Sequence, residues 1–405
     1  MRLTAAVFAL LLCLPAFAQY DQEAARRTIA AVEQVLQQRP NDATLYFWLA
    51  RFRAQLGDRV GTVTALEKVA ELGDGFLPPK ADGFEKVWED PAFKAVYAKL
   101  EAKLPRLDHA PVAFELPDRT LIPEGIAYDG PSRAFYVGSI AQGRVLRFAP
   151  DLSISEFAGV DARLDHVLGL AVDAPRRILY VVSTSALTER GRQLRRNAVV
   201  AFDADSRKLI RRYEVPGALQ LNDVTVARGG RVFASDSESG AIYEIAVKGP
   251  GPTRELVPPN QIRGSNGLAA SPDASRLYVA HSTGLAVVDL ATGTWKRVAN
   301  ATRENLAAID GLYEWQGELI GVQNATTPGR VVVVSLSRDG ESVASVRTLL
   351  SHHHNRLDEP TTGAVAGDSF YLLAATGIKH FGPDGRIDRP DELNAPTVLR
   401  VPLPR

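Results

Sequence analysis

The chain is poor in sulfur: its 405 residues hold one cysteine and one methionine. With Cys13 alone, neither a disulfide framework nor a thiolate metal site can be built. An excess of one charge is missing too. Lys and Arg number 47 and Asp and Glu number 47, so no basic field draws nucleic acid and no acidic tail is present. Long apolar runs are absent after the first 18 residues, and no later run is long enough for a membrane span. The hydrophobic fraction, 45%, is that of an ordinary globular protein, which excludes disorder and gives material for a sizeable core.

The first residues show a different pattern. Arg2 precedes a short apolar run to Phe17, and Ala16-Phe17-Ala18 forms a small-x-small cleavage site. This reads as a secretory signal peptide over 1–18, cut after Ala18. The expected mature chain is exported, periplasmic or secreted, without a membrane span and without cysteine.

Residues 19–104 read as helical. Apolar residues recur at three and four residue spacing in AARRTIAAVEQVL, in ATLYFWLARFRAQL and in GTVTALEKVAELG, and Asp42 is placed to cap the second segment. A further helix is expected over GFEKVWEDPAFKAVYAKLEAKL. The helix-turn-helix spacing around Tyr46, Trp48 and Ala50 resembles a tetratricopeptide repeat, present about one and a half times. Such a region serves either as a surface for a protein partner or as a structural cap on the remainder of the chain.

From residue 105 to 405 the texture changes to short β-branched runs between turns. PEGIAYDGPSRAFYVGS, VLGLAVDAPRRILYVVS, LNDVTVARGGRVFASDS, SNGLAASPDASRLYVAHS, IDGLYEWQGELIGVQN and TTGAVAGDSFYLLAAT share one grammar of strand, turn and strand. Their second positions are Glu124, Leu168, Asn222, Asn266, Asp310 and Thr362, at intervals of 44, 54, 44, 44 and 52 residues. Six units of that length with four strands each predict a mainly β fold, a six-bladed β-propeller. VAFELP near residue 115 and the C-terminal TVLRVPL are the expected closing strands, which leave no long edge exposed.

In a propeller the inner strands run alike, so the six second positions form a ring at one mouth of the channel. Glu124, Asn222, Asn266 and Asp310 all offer oxygen, two of them as carboxylates. Such a set suits one hard divalent cation, Ca²⁺ first, with Mg²⁺, Mn²⁺ or Zn²⁺ as alternatives. The ends of the second strands, Ser139, Ser183, Asp236, His281, Asn324 and Thr376, form a second ring at the same mouth. Within it His281 and Asp236 are the titratable members and candidates for proton transfer. His166 is a weaker candidate base. His352, His353 and His354 read as a solvated loop, because adjacent residues of a strand face alternate sides and cannot share one ion.

PEG at Glu124, LNDV at Asn222, SNGL at Asn266 and IDGL at Asp310 together resemble the senescence-marker-protein/gluconolactonase/luciferin-regenerating-enzyme superfamily, with paraoxonases and strictosidine-synthase-like proteins as relatives. The resemblance covers about 112–405. It implies that these four residues bind one Ca²⁺ or similar ion, and that the activity is metal-dependent hydrolysis of a lactone or small ester. Two departures bear on the substrate. Gln220 stands where gluconolactonase-type members carry an Arg that grips the sugar acid, and Leu168 stands where paraoxonases place a catalytic His. Asp310 is then the first candidate to orient or deprotonate the attacking water, with His281 or Asp236 moving a proton. The alternative is a non-enzymatic, metal-stabilised propeller that binds a partner.

Overall fold

The computed structural model describes residues 22–80, 83–189, 191, 195–247, 253–324 and 329–404. The expected signal peptide, 1–18, lies outside the described residues. Among those described, no helix is long and apolar enough to cross a membrane.

Three antiparallel helices open the chain: α1 (Gln22–Gln38), α2 (Ala43–Leu56) and α3 (Arg59–Leu72). Each boundary has a local cause. Asp42 caps α2 by accepting from Leu45 N, and Asp58 caps α3 by accepting from Gly61 N. Gly57 ends α2 with φ 78°, a left-handed conformation that side chains resist. The expected fourth helix is shorter than its periodicity implied. Asp90 caps α4 (Pro91–Glu101) at a proline, which cannot continue a helix from the preceding turn, so only a 3₁₀ turn forms at Glu85–Val87. Phe47, Leu66, Val69, Phe76, Phe84, Phe93 and Leu100 form a core that belongs to the helices alone.

The rest is a six-bladed propeller of six sheets. Blade one comprises Pro123–Asp129, Ala134–Ser139, Arg144–Phe148 and Ile154–Ala158, and blades two to five repeat this order outward from inner strands at His166–Asp173, Leu221–Ala227, Leu268–Ala270 and Ile309–Trp315. Blade six joins Gly363–Ala366, Ser369–Ala375 and the C-terminal Thr397–Pro402 to Val112–Glu115 from the start of the propeller. Phe114 pairs with Val398 there, so the two ends of the propeller sequence close the ring as expected. Blade five carries one short extra strand, Ala299–Asn300, parallel to Ser342–Leu350.

The repeat grammar has a structural cause at the inner strands. In blades one, two, three and five the pairing of the first two strands slips between Pro123 and Ile126, Val167 and Leu170, Leu221 and Val224, and Ile309 and Leu312. Each slip spans a ring residue and its successor, a bulge that re-aims the side chain. The successor is usually glycine because adjacent blades nearly touch at this level. A Cβ on Gly125 would lie 2.1 Å from the Leu168 carbonyl oxygen, and one on Gly267 would lie 2.4 Å from that of Asp310. Gly267 N donates to Asp310 O at 2.8 Å, which ties blade four to blade five beside the ring.

The helical layer rests on the end of the propeller where the inner strands begin. Asp74 N donates to Arg303 O and Asn305 N donates to Asp74 O, both on the segment that enters blade five. Arg303 and Lys103 each hold the Asp74 carboxylate at 2.9 Å.

Candidate metal centre at the channel mouth

All six second positions sit at the start of an inner strand: Glu124, Leu168, Asn222 and Asp310 within it, Asn266 and Thr362 just before it. Leu168 and Thr362 are not donors to the channel. Leu168 is buried in an apolar cluster, and the Thr362 and Thr361 hydroxyls both donate to the Glu124 carbonyl, which fixes Glu124 across the junction of blades six and one.

Both amide nitrogens of the ring are engaged, that of Asn222 by a serine and that of Asn266 by Asp310. Asn222 Nδ2 donates to Ser237 Oγ at 2.9 Å, and that hydroxyl donates to Ser265 O at 2.7 Å. Asn266 Nδ2 donates to Asp310 Oδ1 at 2.7 Å, and Asn324 Nδ2 donates to Asp310 Oδ2 at 2.6 Å. With each amide nitrogen anchored, the orientation of each amide oxygen is set. Glu124 is 4% exposed, and its Oε2 is buried without a hydrogen-bond partner among the described residues. A buried carboxylate oxygen left without a donor is costly, and a cation is the usual remedy.

Asp223, which comes after Asn222 where other blades carry glycine, adds a third carboxylate. Its Oδ2 accepts from Leu268 N of blade four at 2.9 Å and its Oδ1 from Val224 N at 2.8 Å. Burial first, then the charges of Asp310 and Asp223, push Glu124 well above the carboxylate range. Burial likewise raises Asp310 to about 6, against the bonds from Asn324 and Asn266. Asp223 rises to about 7, chiefly through burial. Tyr313 lines the same space, accepts from Gly363 N at 2.8 Å, and is held protonated by burial and by the charge of Asp223. Asn222, Asp223, Asn266 and Asp310 keep some surface open to the channel although protein surrounds them. The donor set therefore fits a hard divalent cation: oxygen only, two amides and two carboxylates, with a third carboxylate behind.

The second ring divides by task. Of its members, Asn324 reaches the first ring. Asp236 is fully buried and accepts four backbone N–H groups, from Leu219 at 2.6 Å, Gln220 at 3.0 Å, Glu238 at 3.1 Å and Ser239 at 2.9 Å. It holds together the approach to Asn222 and the turn at the end of its own strand. His281 accepts at Nδ1 from Thr283 N at 3.3 Å, while its buried Nε2 has no hydrogen-bond partner among the described residues. Burial, then the charges of Arg297 and Arg39, push it down to about 3, so the ring is neutral. It lies beside a cleft of about 440 Å³ between the helical layer and blade four, lined by Arg39, Asp42, Phe76, Thr283 and Arg297. None of the four ring donors lines that cleft. His166 has both nitrogens engaged, with Ile140 O at 2.9 Å and Thr188 Oγ1 at 3.0 Å.

The histidine run departs from its expectation. Residues 352–354 occupy a turn, so the alternation of a strand does not apply. His354 is buried and contacts Ala110 O at 2.9 Å, and the rings of His352 and His353 lie 4.0 Å apart.

Asp223 and Asn324 were not singled out as site residues from sequence. Asp223 had a signal, as the one successor position occupied by a carboxylate instead of a small residue. Asn324 had none beyond its register, since its distance from Asp310 depends on the hairpin between them.

Residues 122–348, more than half of the chain, match the family described as SMP-30/Gluconolactonase/LRE-like region. No curated protein matches. Among solved structures, a gluconolactonase from Xanthomonas campestris is 19% identical, with a TM-score of 0.48, over 74% of this chain and 95% of its own. A luciferin-regenerating enzyme is 14% identical, with a TM-score of 0.49, over 72% and 95%. The PQQ-bound aldose sugar dehydrogenase of Streptomyces coelicolor is 15% identical, with a TM-score of 0.49, over 74% and 99%. At these identities and scores the solved structures carry nothing about chemistry. The match over 122–348, with the six blades, places the chain in the SMP-30/gluconolactonase/LRE-like family, a propeller of the lactonase type.

Proposed function

We propose that this protein is an exported hydrolase of lactones or small esters that works with one divalent cation, Ca²⁺ first, held by Glu124, Asn222, Asn266 and Asp310. The observation that carries the reading is electrostatic. Glu124, Asp223 and Asp310 act on one another in a channel where Glu124 gains only burial and like charge. Carboxylates gathered that way call for a positive guest.

When bound, the cation supplies Lewis-acid polarisation of the scissile carbonyl and charge for the oxyanion that develops. The chain's own residues supply position. Asn266 and Asn324 grip the two oxygens of Asp310 from opposite sides, so that this carboxylate keeps one orientation. That is what orienting or deprotonating an attacking water requires. Asp236 has its oxygens on four backbone donors, and His281 is buried with Nδ1 accepting from Thr283 N, so proton handling rests on Asp310.

The test is an assay of the mature protein on a panel of lactones and aryl esters, before and after chelation. Turnover that chelation removes and Ca²⁺ restores is the expected result. A cation that raises the melting temperature with no turnover on any substrate would instead make the propeller a binding module.

A further inference from the structure

We infer that Glu101, His352 and His353 form a second cation site, for a borderline divalent metal of the Zn²⁺ type, that clips the end of α4 to the loop entering blade six. One ligand atom from each of the three lies within 4.8 Å of the other two. His352 Nε2 stands 4.0 Å from Glu101 Oε1 and is buried without a hydrogen-bond partner among the described residues. The two imidazoles lie side by side, their centroids 4.0 Å apart and their planes at 40°. Ser351 Oγ contacts His353 Nδ1 at 3.0 Å, which fixes the orientation of that ring.

The donor chemistry separates this place from the channel. Two imidazoles and one carboxylate suit Zn²⁺, whereas Ca²⁺ is held by oxygen. Metal–ligand bonds of about 2.1 Å set tetrahedral ligands roughly 3.4 Å apart, so closing the cluster needs movements of about 1 Å. Glu101, on the last turn of α4 and partly exposed, can supply them. A water completes a site with three protein ligands. The scaffold on either side is already fixed. Ser351 N donates to Leu107 O at 2.7 Å, Leu107 N donates to Ser351 Oγ at 3.0 Å, and His354 Nε2 meets Ala110 O at 2.9 Å. The segment joining α4 to the propeller is thereby sewn to the histidine turn, and the metal would add the helix itself to that seam.

The full chain, stripped of metal, would be titrated with Zn²⁺ by calorimetry beside H352A, H353N, E101Q and, for the channel, D310N. One Zn²⁺ site is expected in the wild type and in D310N, with affinity at least about tenfold lower in the three cluster variants. Co²⁺ in the same site should give the visible bands of a tetrahedral centre, lost in H352A. Should H352A fail to fold, E101Q at the exposed helix end decides. A wild type that binds Zn²⁺ more weakly than about 100 µM overturns the inference. Equal affinity in wild type and cluster variants, or loss of Zn²⁺ in D310N alone, overturns it as well.

Discussion

Asp310 concentrates the chemistry of the channel in one side chain. Both of its oxygens accept from amides just outside neighbouring strands, Asn266 at 2.7 Å and Asn324 at 2.6 Å, and it is also a member of the proposed donor ring. Replacing it by Asn keeps its shape and removes its charge. D310N should lower kcat by at least about 100-fold, the scale of a lost general base, even at cation concentrations that saturate the variant. N266A should act differently, raising the Ca²⁺ concentration needed for half-maximal activity while kcat recovers at saturation. A D310N enzyme with wild-type kcat would remove Asp310 from the mechanism. Asn324→Ala leaves all four ring donors in place, so its expected loss appears in kcat and not in Ca²⁺ affinity measured by calorimetry.

The junctions between blades are held by contacts that a single substitution can disturb. At Gly267 the space for a Cβ is taken by the backbone of blade five, 2.4 Å from Asp310 O and 2.4 Å from Leu312 N. Neither atom is the end of a flexible side chain, so Gly267→Ala should cost about 3 kcal/mol in urea unfolding, at the upper end for overpacking. A loss below about 1 kcal/mol would mean the blades can part at no cost. Arg177 joins blades one and two. It binds the fully buried Asp129 at 2.6 and 2.9 Å and reaches Asp205 at 2.7 Å. Burial alone would raise the Asp129 carboxyl, but the bonds from Arg177 and Ser132 outweigh it and hold it below its ordinary value. Its contribution is therefore present above pH ~4 and lost as pH falls through the depressed value. Arg177→Met should destabilise by about 3 kcal/mol at pH 7, the cost of a buried charge left alone. That difference should shrink as pH falls through the value of the remaining carboxyl, which burial without Arg177 raises above its ordinary one. A deficit independent of pH would assign Arg177 a packing role only.

For the molecule as a whole, the channel carboxylates make stability depend on what occupies the channel. Glu124, Asp223 and Asp310 all titrate above their ordinary range, with Asp310 near 6 and Asp223 near 7. In the absence of a cation the folded state keeps protons that the unfolded chain releases, so this contribution falls as pH rises from about 4 to 7. Chelated protein should melt lower at pH 8 than at pH 5, and millimolar Ca²⁺ should restore most of the loss at pH 8. Asp223→Asn should flatten the slope of the chelated protein. An unchanged slope would mean that Asp223 stays ionised without a counter-charge. The helical layer sits at the same end of the propeller, where Asp74 bonds to Arg303 and Asn305 of the segment entering blade five.

Much of this was legible from one dimension. Repetition announces a propeller because each unit must bury its faces against the next, and a glycine recurs after the ring position because the close approach of the next blade tolerates little else. The ring of six positions came from register, since equivalent positions on inner strands share one level, and side-chain chemistry picked out the four that offer oxygen. Duties that depend on which partner stands opposite were hidden. Asp236 and Asp310 are both strand-associated carboxylates in sequence, yet one accepts four backbone N–H groups and the other two side-chain amides beside the channel. His352 and His353 meet Glu101 from a segment some 250 residues away, a juxtaposition that exists only because the helices pack against the propeller. Periodicity fixes which faces are buried; hydrogen-bond partners and charge neighbours are settled only when distant segments pack.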